Sequence, residues 1–263
     1  MGILNTTPDS FSDGGKFASP EAAIRRVEEM IAEGVDVIDI GGESTRPGSS
    51  RVDEAEEIER TAPVIGAIAR RFDVPVSIDT SKSAVAEAAL AAGAEIVNDI
   101  SGLRFDPNVA SIAARYNAGL VLMHSRGDFE TMHTQPPVDD VFDEVIKGLE
   151  RSIAKAGAAG IERSRLVLDV GIGFGKTLEQ NLQLIARLSD IASRFAEHPI
   201  LVGASRKSFL GKILGGTPEK ERISASLAAA AIAAWNGAKV LRVHDVRATR
   251  EALAIVQRLS RER

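Results

Sequence analysis

Polar residues close a succession of short apolar runs along this sequence, and their types are those that hold heterocycles and phosphates. Asn5, Asp39, Asp79, Asn98, His124 and Asp169 each stand at the end of such a run, followed by the Ser205 to Lys207 cluster and then by Arg242 and His244. An ionised carboxylate accepts two adjacent N–H donors side by side, an amide both donates and accepts, and Lys and Arg hold anions. Each residue alone has an ordinary use. Asp79 and Asp169 could cap helices, and His124 could be a satisfied structural histidine. A surface role for Arg242 fits poorly with its place inside an apolar run. Recurrence at one kind of position argues for a shared site.

Two stretches behind these runs are rich in turn residues: Asn5 to Gly15 reads NTTPDSFSDGG and Gly41 to Ser50 reads GGESTRPGSS. Their length and placement favour active-site loops over plain surface turns. A third, Asp169 to Thr177, reads DVGIGFGKT and invites a nucleotide-binding reading. A phosphate-binding P-loop needs glycine where Val170 stands, and the dinucleotide GxGxxG spacing is absent, so both are excluded. A turn whose backbone packs closely on a flat ligand fits better. The start of the chain also matches myristoylation and Asn-glycosylation patterns at Gly2 and Asn5, but Gly2 to Leu4 reads as a buried strand and no secretion signal supports either.

The elements that must position these residues alternate from end to end. Gly2 to Asn5, Val35 to Ile40, Val74 to Asp79, Glu95 to Asn98, Leu120 to Met123, Leu166 to Asp169, Ile200 to Gly203 and Val240 to Val243 read as buried parallel strands. Between them, Ser19 and Pro20 open a helix whose stripe is Ala23, Ile24, Val27, Met30 and Ile31, with Gly34 as its stop. Asp53 and Glu56 resemble a capping box. Leu178, Leu182, Ile185, Leu188, Ala192 and Phe195 trace one amphipathic helix, and Ser224 to Gly237 predicts a helix apolar nearly all round, suited to packing on a partner subunit. Asp245 reads as the cap of a helix from Val246. Strand then helix, repeated over 263 residues, predicts a single-domain (β/α)8 TIM barrel over 1–263, with a doubly wound open sheet as the alternative. In a barrel the strand ends share one face, so the scattered polar residues converge there.

Composition narrows the classes. With 44% hydrophobic and 26% charged residues the chain is ordinary globular protein, and with no Cys it has neither disulfides nor thiolate chemistry. A net charge of -5 without a Lys/Arg run disfavours nucleic acid. No apolar stretch approaches the length that spans a bilayer.

The strings NTTPDSFSDGG, DIGGESTRPGS, SIDTS, VNDISG, DVGIGFGKT, GASRKSFLG and RVHDV resemble, in order and spacing, the motifs of the dihydropteroate synthases over nearly the whole chain. The resemblance implies a TIM barrel, Mg2+ as cofactor and condensation of 6-hydroxymethyl-7,8-dihydropterin pyrophosphate with p-aminobenzoate. By position it implies a pterin site of Asp79, Asn98, Asp169 and Lys207, with Phe174 on the ring face. Asn5, Arg242 and His244 match the pyrophosphate site, with Asn5 on the metal. Thr45, Arg46 and Ser208 match the p-aminobenzoate site, with Phe11 and Pro47 shaping its slot. Lys207, Arg242, His244 and Asp79 are the expected catalytic set. The same resemblance implies a homodimer, and a bacterial cytoplasm is the expected setting.

Some positions depart from the family. Val170 replaces a usual Pro, loosening that turn, and Ser125 replaces a larger residue, which is expected to open the pocket. The usual leading segment is absent, so the foot of the barrel is expected to be less well covered. Competing readings are a corrinoid-linked pterin methyltransferase domain, which needs neither STRPG nor SRKS, and a non-catalytic pterin binder, which needs no Asn5, Arg242 and His244 set.

Overall fold

Runs of Ile, Val and Leu too short for helices pair edge to edge and hide both faces, the arrangement parallel strands require. The computed structural model describes residues 1–7, 20–46 and 48–262. Its strands are β1 (Gly2–Asn5), β2 (Ile38–Gly41), β3 (Val76–Asp79), β4 (Ile96–Asp99), β5 (Gly119–Met123), β6 (Leu166–Asp169), β7 (Ile200–Val202) and β8 (Val240–Leu241), all parallel and hydrogen-bonded in sequence order. The sheet closes on itself. Ile3 N donates to Val243 O at 3.0 Å, and Val243 N donates to Met1 O at 3.0 Å. Closure excludes the doubly wound alternative.

Among the described residues the helices are α1 (Pro20–Ala32), α2 (Glu54–Arg71), α3 (Ser83–Ala92), α4 (Asn108–Arg115), α5 (Val141–Ala158), α6 (Leu178–Ala186), α7 (Leu188–Arg194), α8 (Ser208–Ile213), α9 (Ile223–Trp235) and α10 (Val246–Ser260). Ile38, Ile40, Ile78, Leu120, Leu122 and Leu168 are fully buried in the main core, together with Val85 and Ala89 of α3 and Leu149 of α5. Each such Ile or Leu contributes about 1.5–3 kcal/mol relative to exposure.

Several local expectations need correction. Asp53 caps α2 through Ala55 N, but Glu56 turns to Arg60 and forms no capping box. The amphipathic run from Leu178 breaks at Arg187 into α6 and α7. Ile31 is exposed, because the apolar stripe of α1 is completed at Met30. Asp245 makes no side-chain cap for α10; its carboxylate is taken by Arg206. No helix among the described residues is long and apolar enough to cross a membrane.

Candidate active site

Side chains alternate along a strand, so partners in parallel register face the same way. Asn5, Gly41, Asp79 and Asn98 are consecutive partners across β1 to β4, forming one rung at the C-terminal end of the barrel. A methyl group on Gly41 would lie 3.8 Å from both Asn5 Oδ1 and Asp79 Oδ2, so glycine leaves open space between two oxygens. One layer below sits Asp39, fully buried. Its Oδ2 accepts from Arg242 Nε at 2.6 Å and from Asn98 Nδ2 at 3.1 Å, while Arg242 Nη2 reaches Asp79 Oδ2 at 2.6 Å. Burial, and then Asp39, push the Asp79 carboxyl up to about 7 against the pull of Arg242. Burial opposes the charge on Arg242, but Asp39 and Asp79 hold its pKa above the ordinary arginine value. Among the described residues Asp39 Oδ1 has no hydrogen-bond partner.

The opposite wall comes from β6, β7 and the turns behind them. Asp169 Oδ1 accepts from Gly171 N at 2.7 Å, and burial raises its pKa while Lys207 opposes. Lys207 Nζ donates to Ile172 O and stands 4.4 Å over the centre of the Phe174 ring. Burial lowers the Lys207 pKa to about 8, with Asp169 opposing.

The DVGIGFGKT turn wraps an ammonium rather than an anion. Lys176 Nζ donates to Gly171 O at 2.8 Å and Phe174 O at 3.1 Å, and meets His124 Nδ1 at 3.1 Å. Burial lowers the Lys176 pKa to about 7 and, with Lys176, that of His124 to about 2, so His124 is neutral. Among the described residues His124 Nε2 has no hydrogen-bond partner, with Glu144 Oε1 3.8 Å away. Val170 is fully buried in the core. Ser125 does not open the pocket. It is buried, donates to Ile100 O at 2.8 Å, and the Arg104 guanidinium fills the space beside it at 2.9 Å.

Near β8, His244 Nδ1 meets Ser205 Oγ at 3.1 Å. Burial, then Arg206 and Arg242, lower its pKa to about 4 in the ligand-free protein. Among the described residues no cluster of three or more His, Asp or Glu can hold a metal. Asn5 Oδ1 and Asp79 Oδ2, which flank the open space at Gly41, are oxygen donors of the kind a hard cation takes.

The loop between β2 and α2 carries Thr45 and Arg46. Thr45 O meets His133 Nε2 at 2.7 Å, and His133 stacks on Phe174 at 5.4 Å. Arg46 is exposed and pairs its guanidinium with Glu219 at 2.7 Å. Ser208, the first residue of α8 and exposed, directly follows Lys207. Phe11 and Pro47 lie outside the described residues. Sequence reasoning placed Asp39 among the converging strand-end residues but gave it no specific role, and it gave none to Lys176 or His133. For Asp39 the signal is a charge between Ile38 and Ile40, each itself fully buried.

The chain matches the family model described as pterin binding enzyme over residues 1–244. It is 47% identical over 257 residues to the dihydropteroate synthase of Escherichia coli, covering 98% of this chain and 90% of that one. Its fold superposes with a TM-score of 0.92 on the Yersinia pestis dihydropteroate synthase solved with a sulfonamide drug, at 45% identity, covering 98% of this chain and 93% of that one. The Xanthomonas albilineans enzyme, solved with 4-aminobenzoic acid, gives a TM-score of 0.91 at 43% identity, covering 98% and 92%.

Proposed function

The chain belongs to the pterin-binding enzymes, within the dihydropteroate synthase family, and from that membership we infer how its barrel mouth divides the reaction. The reaction joins 6-hydroxymethyl-7,8-dihydropterin pyrophosphate to p-aminobenzoate, releasing 7,8-dihydropteroate and pyrophosphate. The observation that carries the assignment is Arg242 spanning Asp39 and Asp79 at 2.6 Å each, opposite the Asp169 and Lys207 wall.

The pterin binds between these walls. Asp79 and Asp169 accept its ring N–H and amino donors, Asn98 both donates and accepts, Lys207 donates to ring acceptors and Phe174 covers a face. Arg242 and His244 take the pyrophosphate, and Asn5 would hold Mg2+. Bound Mg2+ supplies neutralisation of the phosphate charge. The C–O bond to the pterin methylene breaks with its electron pair leaving on pyrophosphate, and Arg242 stabilises that charge. The arylamine nitrogen then bonds the methylene carbon and releases a proton to water, so no side-chain base is required. Thr45, Arg46 and Ser208, with Phe11 and Pro47, hold p-aminobenzoate, and sulfonamides compete there. For Arg46 this requires leaving Glu219 for the substrate carboxylate.

The whole of 1–263 acts as one pterin-binding domain in the cytoplasm. It works as a homodimer, for which the support is the exposed Ile223, Ile232 and Trp235 of α9 beside Ile255 and Leu259 of α10. Sedimentation of Ile232→Glu tests the dimer; an unchanged mass would move the interface elsewhere. The residue assignments are tested by following dihydropteroate and pyrophosphate with and without p-aminobenzoate. Lys207→Ala abolishes product in a folded protein, and full activity in that variant would overturn the pterin site.

A further inference from the structure

Outside the pterin and pyrophosphate contacts lies a buried ionic cluster at the foot of the loop between β2 and α2. Lys82, just before α3, is almost wholly enclosed, and its Nζ donates to Glu43 Oε1 at 2.8 Å, Glu57 Oε2 at 2.6 Å and Val52 O at 2.6 Å. Three donors meet three acceptors, so the ammonium is fully used. Glu43 Oε1 also accepts from Val52 N at 2.6 Å. Residues 43 and 52 are thus tied to each other and to one cation rooted on the next βα unit. Arg60 of α2 adds a bond to Gly42 O at 2.8 Å.

Plain packing would hold α2 against α3 without these charges, and apolar replacements of a buried ion pair are often no less stable. The cluster is also unbalanced, with two buried carboxylates against one ammonium, and burial pushes the Glu57 carboxyl up. What such a cluster gives that packing does not is direction. Both the N–H and the C=O of Val52, together with the Glu43 side chain, are fixed in register with β3, the strand that ends in Asp79.

We propose that Lys82 and Glu43 are positioning residues for the second substrate, stapling both ends of the 43–52 segment so that Thr45 and Arg46 are held over the barrel mouth. The inference rests on the reading of Thr45, Arg46 and Ser208 as the aryl-acid site. Small misplacements of positioning groups have large kinetic effects. Lys82→Met and Glu43→Ala raise the KM for p-aminobenzoate about tenfold or more, the scale of a lost positioning contact. The KM for the pterin pyrophosphate and the pterin Kd stay within about twofold, since Lys82 bonds Glu43, Glu57 and Val52 and none of the pterin-wall side chains.

The experiment is steady-state kinetics of the full chain, varying each substrate at saturating partner, with thermal melts alongside. Glu43→Ala is the variant of choice if Lys82→Met does not fold, because it leaves Lys82 paired with Glu57 and relieves the excess negative charge. Lys82→Arg and Glu43→Gln, which keep the donor and the acceptor, recover most of the p-aminobenzoate KM. A folded Glu43→Ala in which both KM values move together, or neither moves, overturns the staple. Arg46→Ala and Ser208→Ala serve as the reference. If they leave the p-aminobenzoate KM unchanged, the aryl-acid site itself is misplaced; if they raise it while Glu43→Ala does not, only the staple fails.

Discussion

Lys207 Nζ stands 4.4 Å over the Phe174 ring, and the His133 ring stacks on that same phenylalanine at 5.4 Å. An ammonium on an aromatic face is favourable, but its partial burial opposes the charge. Burial brings its pKa down to about 8, with Asp169 opposing. The charged form is therefore lost as pH rises through that value. With the cation needed for the pterin, kcat/KM for the pterin pyrophosphate falls on an alkaline limb near pH 8, and Lys207→Arg moves the limb beyond the measurable range. An unchanged limb in that variant assigns it to another group.

The Asp79 carboxyl predicts a pH dependence of stability. Its folded pKa of about 7 lies above the ordinary 3.8, so between those values the folded state keeps a proton that the unfolded chain gives up. The stability from this group is complete below the lower value and is lost as pH rises toward 7. Asp79→Asn should flatten that decline by on the order of 1 kcal/mol per pH unit, read from urea unfolding of the ligand-free protein. Pterin affinity falls in the same variant. A slope identical to that of the parent chain would place the titration on another carboxylate.

Arg242 and Asp39 are coupled, and removing the cation alone is the costly change. Arg242→Ala leaves two enclosed carboxylates without their counter-charge, and destabilisation of about 3–5 kcal/mol is expected. Loss of leaving-group stabilisation lowers kcat by about 10²–10³. Adding Asp39→Asn to Arg242→Ala recovers part of the stability and none of the rate. Additive stability changes in that cycle would show the pair to be independent.

How much of this was legible in sequence follows from range of interaction. The strand ends, the barrel and the convergence of polar residues on one face depend on local periodicity and on one topological rule, that parallel strand ends share a face, whereas the grouping of Asp79, Asn98, Asp169 and Lys207 around a pterin is what the family resemblance implies. The break at Arg187, the capture of Asp245 by Arg206 and the exposure of Ile31 depend on what packs opposite, which local pattern does not encode. Asp39 was visible as a charge in an apolar strand, but its role as the acceptor of Arg242 joins residues 203 positions apart. Lys176 looked like part of a phosphate-binding string because that string and an ammonium-wrapping turn share glycines. The carbonyls of Gly171 and Phe174 point at the lysine here, whereas a phosphate loop points its N–H groups at the ligand.

Gly171 gives the sharpest test of that turn. Its φ is +68°, and a Cβ built there would lie 1.9 Å from His124 O and 3.1 Å from Lys176 Nζ. The first contact is with backbone at the end of β5, which has little freedom to move, so Gly171→Ala must displace either the strand end or the turn. Gly160 is the control: its φ is +89° and nothing lies within 4 Å of the added methyl, so Gly160→Ala carries backbone strain alone, about 1–2 kcal/mol. Gly171→Ala should exceed that control by about 1–3 kcal/mol in chemical unfolding, the scale of overpacking. Because the displaced turn also carries Ile172 O, which Lys207 binds, pterin affinity should fall in Gly171→Ala and stay intact in Gly160→Ala. Equal stability losses with pterin binding retained in both would mean that the turn yields without disturbing Lys207, and the close packing of its backbone would then have no part in the pterin site.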